Sequence, residues 1–135
     1  MKTTIKTICL LAFLNFATQT HAQTKEETIE WLNIKKTEVR NIYSVTVYNG
    51  SLEITSEQLY AYDNEGGSSK YTWNEIKEIR DDGGWIMIVF NNTYKGETCY
   101  IKFIINNDEL RGKYIKALKH MATLKGAKLL NDDLF

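Results

Sequence analysis

Asn49-Gly50 lies between Val45-Thr46-Val47-Tyr48 and Ser51-Leu52-Glu53-Ile54, two short runs in which aliphatic and polar residues largely alternate. Asn followed by Gly tolerates positive φ at two successive positions, the geometry of a type I′ turn joining antiparallel strands. Such a turn pairs Tyr48 with Ser51, Val47 with Leu52, Thr46 with Glu53 and Val45 with Ile54. Because side chains alternate along a strand, the four aliphatic residues then share one face and the polar pairs the other. The chain is therefore expected to be built on antiparallel sheet. On this reading Gly50→Val costs about 1 to 3 kcal/mol, since a β-branched residue resists positive φ.

Downstream the strand pattern continues. Leu59 to Tyr62 reads as a strand ending in the polar loop Asp63 to Ser69, and Tyr71-Thr72-Trp73 as another. Asn74 to Ile79 reads as a turn carrying Ile76 and Ile79 on one side, and Asp81-Asp82-Gly83-Gly84 as a second break. Trp85 to Phe90 and Thr98 to Ile105 form a hairpin across a polar loop containing Asn91, Asn92 and Gly96. Lys102 marks the solvent face of the later strand, so Cys99, Ile101, Phe103 and Ile105 point inward. That makes the Cys99 thiol a core filler rather than a nucleophile. Trp85 to Phe90 is apolar on both faces, so its outside requires cover from the N-terminal helix, a second subunit or a ligand.

A helix is expected at each end. Thr24 followed by Glu27 matches a capping box, and Ile29, Leu32 and Val39 with Trp31 and Ile34 form a ragged helical stripe to about residue 39. The last helix starts at Asn106 or Asn107, with Asp108 and Glu109 complementing its dipole. Its core stripe is Leu110, Tyr114, Ala117, Leu118, Met121 and Leu124, and Gly126 stops it. Lys113, Lys116 and Lys119 make its outer side basic, which reads as a solvated face or, alternatively, as a membrane-surface contact.

The start of the chain is read as a cleaved leader. Lys2 and Lys6 precede the apolar run Ile8 to Ala17, which is too short to span a bilayer, and small residues at Thr20 and Ala22 place cleavage after Ala22. Residues 1–22 are then a signal peptide and residues 23–135 a single domain, exported to the periplasm or secreted. No later stretch is apolar enough to anchor that domain in a membrane. Cys9 leaves with the leader, so Cys99 has no intramolecular disulfide partner. Seventeen acidic residues stay and fifteen of the seventeen basic ones, a net charge of −2, which argues against general nucleic-acid binding. The composition, 43% hydrophobic with 25% charged residues, suits one compact domain, and the absence of Pro excludes polyproline linkers.

The Val45 to Ile54 hairpin with its continuation Thr55-Ser56-Glu57-Gln58-Leu59, the segment Tyr71 to Ile79, and the helical stretch Tyr114 to Met121 together resemble the pleckstrin-homology-like barrels. The likeness covers roughly residues 42 to 125 and is greatest to the minimal, GRAM-type versions, in which an aromatic residue precedes an Ile-x-x-Ile segment. The resemblance implies an α+β fold: an antiparallel β-barrel or curved sheet with an N-terminal helix and a C-terminal helix capping one end. Two departures stand out. There is an extra N-terminal helix, and the first hairpin turn, Asn49 and Gly50, supplies no basic phosphoinositide-binding loop. The alternative fold is a cystatin-like or NTF2-like sheet wrapped around the first helix.

Little in the sequence points to catalysis. The exported domain holds one histidine, His120, expected as a solvated side chain beside Lys119 and unable to meet an inward Cys99. A calcium loop counted from Asp63 fails, because positions five, six and twelve are Gly67, Ser68 and Asn74. No zinc spacing or phosphate-cradling glycine motif occurs, so no metal, cofactor or catalytic residue is assigned. The reading that follows is a non-catalytic exported binding module, with a protein or peptide partner on the outer sheet face, where aromatic residues are plentiful, or on an open sheet edge. A small hydrolase or isomerase is the alternative. It requires Asp63, Glu65, Asp81 or Asp82 to converge in a pocket with raised pKa values.

Overall fold

The structure, a computed structural model, describes residues 24–130, so the leader and its cleavage site lie outside the described residues. Helix α1 (Lys25–Lys35) runs through a short 3₁₀ turn (Lys36–Glu38) into strand β1 (Arg40–Ser44). Strands β2 (Ser51–Ile54), β3 (Gln58–Tyr62) and β4 (Ser68–Thr72) follow, then a second 3₁₀ turn (Trp73–Glu75). Strands β5 (Ile76–Asp82), β6 (Trp85–Tyr94) and β7 (Glu97–Ile104) precede the final helix α2 (Asp108–Leu124).

Two antiparallel sheets result. β2-β3-β4 is a meander, and the other sheet has the order β1-β7-β6-β5, so the first strand lies beside the last. One bridge links the sheets at a corner, where the Gly50 amide donates to the Ile42 carbonyl at 2.8 Å. The inward residues expected of β7, Cys99, Ile101, Phe103 and the following Ile105, are all buried. They join Ile86, Ile88 and Phe90 of β6 and Leu52, Ile54, Leu59 and Ala61 of the meander in one apolar cluster.

α2 closes this cluster. The Asn107 side chain caps it by accepting from the Leu110 amide, and Tyr114, Ala117, Leu118, Met121 and Ala122 are buried. Gly126, at φ 94°, stops it, and Leu130 then donates to the Lys77 carbonyl, returning the chain to β5. Arg111 seats the first turn by bonding Asp81 at 2.8 Å, the Ile105 carbonyl at 2.9 Å and Asp108 at 2.7 Å. The Tyr114 hydroxyl donates to the Leu32 carbonyl at 2.9 Å, docking α1 onto α2, and the Tyr114 ring packs on Trp31 and Phe103. The sheets are thus not wrapped around the first helix, and the cystatin-like or NTF2-like arrangement is not the one adopted.

The segment around Asn49-Gly50 departs from expectation. It is not a hairpin, because residues 45–49 form bends, β1 pairs with β7, and β2 pairs with β3 instead. The physical reason is competition from side chains. The Ser44 hydroxyl accepts the Thr46 and Val47 amides at 3.1 and 3.0 Å, and the Asp63 carboxylate accepts the Tyr48 amide at 3.0 Å. Amides that a ladder would have paired are taken locally. The burial pattern survives without the pairing, since Val47, Leu52 and Ile54 are buried. Two-residue turns with positive φ at both positions occur elsewhere, at Gly83-Gly84 (64° and 96°) and Lys95-Gly96 (51° and 82°). The second lies beyond Asn91 and Asn92, which belong to β6 rather than to a loop.

Other differences follow from bulges. Ile76 and Ile79 are both buried, yet both lie in β5, where a spacing of three would put them on opposite faces. The register slips between Ile76 and Glu78, inserting one residue and returning Ile79 to the inside. Ser68 to Thr72 is strand although Ser68 and Ser69 are expected as loop, and Trp73 belongs to the turn after it. α1 is shorter than the stripe suggested: Thr28, Trp31 and Leu32 are its buried residues, and Ile34 is exposed.

Two variants check this packing. A Cβ on Gly50 would stand 2.1 Å from the Tyr62 carbonyl oxygen and 2.5 Å from Val47 Cγ1, while Asn49 is the residue with positive φ. Gly50→Ala is therefore expected to cost about 1 to 3 kcal/mol by overpacking, without any β-branch; an unchanged urea midpoint would refute the close approach. Tyr114→Phe strands the buried Leu32 carbonyl and is expected to cost about 1 to 3 kcal/mol in the same assay.

Candidate binding face

Alternation along β6 places Ile86, Ile88 and Phe90 inside, so Trp85, Met87 and Val89 face outward, each half-buried. The register sets Lys102 between Tyr43 of β1 and Met87 of β6, and sets Tyr100 against Val89. A row of rings and aliphatic chains thus crosses the outside of the four-stranded sheet with Lys102 in its midst. α1 packs on α2 and β2, and α2 packs on β5 and the 3₁₀ turn before it, so neither helix lies over this row. Of the covers expected for the outer side of β6, the N-terminal helix is excluded.

Tyr48 completes the face. It is 78% exposed and meets the Tyr43 ring edge-on at 5.1 Å, while Tyr43 meets Trp85 at 5.8 Å. Its position depends on the bends of residues 45–49. Besides the Ser44 bonds, the Thr46 hydroxyl donates to the Ser68 carbonyl at 2.6 Å, and the hydroxyls of Ser44 and Thr46 lie 2.7 and 2.8 Å from that of Ser69. Asp63 accepts three amides, from Tyr48, Glu65 and Gly67, and these hold its carboxyl below the usual range. The result is an open groove of about 460 Å³ bounded by Tyr43, Ser44, Val47, Tyr48, Trp85, Tyr100 and Lys102. Alternation made the Trp85 and Lys102 faces readable, but Tyr43 and Tyr48 join them only through the β1–β7 pairing and the bends.

The carboxylates considered for catalysis are structural. Asp63 braces the β3–β4 loop, and Asp81 pairs with Arg111 and accepts the Gly84 amide. The bonds from Arg111 and Gly84 lower the Asp81 carboxyl, and the bonds from Tyr48 and Gly67 lower Asp63, opposite to what a general acid needs. Glu65 and Asp82 are exposed, and no carboxylate lines the groove. Among the described residues no three His, Cys, Asp or Glu side chains gather as a metal site. His120 is half-buried on α2 rather than fully solvated. Lys113 on the basic helix pairs with Glu109, while Lys116 is exposed and Lys119 half-buried.

Cys99 is buried as expected, and near it Tyr71 stacks on Phe90 with ring centres 3.9 Å apart. Burial, helped by the Cys99 thiol, pushes the Tyr71 phenol up to about 12.

Neither a comparison with protein families nor one with curated proteins finds a match. Among solved structures the chain is similar to the "PH domain from PfAPH", with TM-score 0.57 and 15% identity over 81% of this chain and 100% of that one. It is also similar to the "PH domain from TgAPH", with TM-score 0.54 and 10% identity over 77% and 96%. The fold is accordingly pleckstrin-homology-like, α+β, with α2 capping the two sheets.

A raised phenol makes stability depend on alkaline pH in a fixed direction. The unfolded chain releases the Tyr71 proton near pH 10 and the folded chain only near 12, so stability is full below pH 10 and falls between the two values. Tyr71→Phe is expected to flatten that fall in melting curves taken from pH 9 to 12; an identical slope in the variant would contradict the assignment.

Proposed function

We propose that this chain is an exported, non-catalytic binding module that holds a protein or peptide partner on the outer face of its four-stranded sheet. The observation that carries this reading is the aromatic row Tyr43, Tyr48, Trp85 and Tyr100 about Lys102, over which neither helix lies. Rigid rings lose little conformational entropy on binding and bury large areas, which makes them common anchors at interfaces. Domains of this fold are generally binding modules without catalytic activity, which supports the same reading. The catalytic alternative is disfavoured by the structural roles of Asp63 and Asp81.

Export rests on Lys2, Lys6, the apolar run Ile8 to Ala17 and the small residues before Gln23. The described residues contain no helix long and apolar enough to cross a membrane, in keeping with a domain released after cleavage.

Both parts are testable in the source cell. The N-terminal sequence of the protein recovered from the envelope or medium is expected to begin at Gln23, whereas intact chain beginning at Met1 in the cytoplasm would refute export. Immobilised residues 23–135 are expected to retain an envelope partner that a Tyr48→Ala, Trp85→Ala double variant releases. A partner held equally by both would move the binding site off this face.

A further inference from the structure

The groove presents an ammonium and three phenol hydroxyls, and no carboxylate is among its lining residues. Lys102 Nζ lies 4.8 Å from the Trp85 ring centre and 5.9 Å from those of Tyr43 and Tyr100. Among the described residues no carboxylate pairs with it, although Lys113 and Lys125 each have one, Glu109 and Glu57. The hydroxyls of Tyr43, Tyr48 and Tyr100 likewise meet no hydrogen-bonding group among the described residues. Of the acids around the row, Asp63 is committed to three amides behind Tyr48, Glu78 is paired with Arg80, and Asp82, opposite Trp85, is exposed at the end of β5.

Ring faces attract an ammonium through their quadrupoles but carry no formal charge, so Lys102 is half-buried with its charge only partly compensated. A carboxylate arriving there gains charge-assisted hydrogen bonds, and the flanking phenols can add donors to its second oxygen. The Trp85 and Tyr48 rings offer flat apolar surface beside that anchor. An anionic bilayer is a poorer match, since it favours several clustered basic groups. Here the other cation on the row, Arg80, is already paired with Glu78 at 2.9 Å.

We propose that the groove recognises an acidic peptide segment, with an Asp or Glu carboxylate on Lys102 and a neighbouring apolar or aromatic residue against Trp85 and Tyr48. This rests on the binding-module reading and adds the chemistry of the partner.

The test titrates residues 23–135 with the acetylated, amidated pentapeptide Gly-Glu-Phe-Glu-Gly, its Gln-for-Glu counterpart, and phosphatidylglycerol vesicles, following the Trp85 indole and Lys102 resonances. The Glu peptide is expected to shift both, and the Gln peptide to bind about tenfold more weakly, as loss of a charged hydrogen bond implies. Lys102→Gln is expected to abolish that preference and Lys102→Arg to keep it, with the remaining spectrum unchanged in both variants. Equal binding of the two peptides overturns the acidic assignment yet leaves the binding face intact, as does failure of both while an envelope partner still depends on Trp85. Shifts from vesicles without shifts from peptide overturn it in favour of a membrane surface.

Discussion

Tyr114 joins three parts of this fold: α1, α2 and the four-stranded sheet. Its ring lies between Trp31 of α1 and Phe103 of β7, and its hydroxyl satisfies the Leu32 carbonyl in the interior. Burying that ring removes a large apolar surface from water, while the hydroxyl needs a partner once it leaves solvent. Both conditions are met only when α1, α2 and the four-stranded sheet come together. Burial also pushes the phenol upward, so it stays protonated and remains a donor throughout the neutral range. The helix is held at its start by Arg111, which reaches the Ile105 carbonyl just beyond β7 and Asp81 near the end of β5 at once.

With α2 occupied in closing the core, the outer surface of β1, β7 and β6 is left without a helical cover. The two parts of the structure are linked through β7. Its inward residues Cys99, Ile101 and Phe103 fill the centre, and its outward residues Tyr100 and Lys102 build the groove. Strand alternation makes one stretch of eight residues serve both purposes. The bends of residues 45–49 then add Tyr48, held by Ser44, Thr46 and Asp63 rather than by a ladder, so polar side chains of low catalytic value have a clear positional one.

Much of this architecture was legible in the chain. The α2 stripe from Tyr114 to Met121, its Asn107 cap and Gly126 stop, the inward side of β7 and the two-faced character of β6 all follow from local periodicity and capping chemistry. Leu110, by contrast, is only half-buried, and Leu124, placed in the same stripe, is exposed at the helix end. Asn49-Gly50 was the misleading element. Its dipeptide chemistry is that of a tight hairpin, and the aliphatic residues around it alternate correctly, yet Ser44 and the distant Asp63 capture the amides. Likewise the Ile76 to Ile79 spacing fits a turn better than a strand until the bulge at Lys77 is taken into account.

The sequence by itself determined which residues are apolar enough to go inside and where the chain can start, stop and turn, because those preferences are set by neighbours a few positions away. Tertiary structure alone decided that β1 lies beside β7 and that Tyr43, Tyr48, Trp85 and Lys102 share one surface. That arrangement depends on contacts between segments some forty to sixty residues apart, where loop closure, bulges and competing side-chain hydrogen bonds outweigh local propensity.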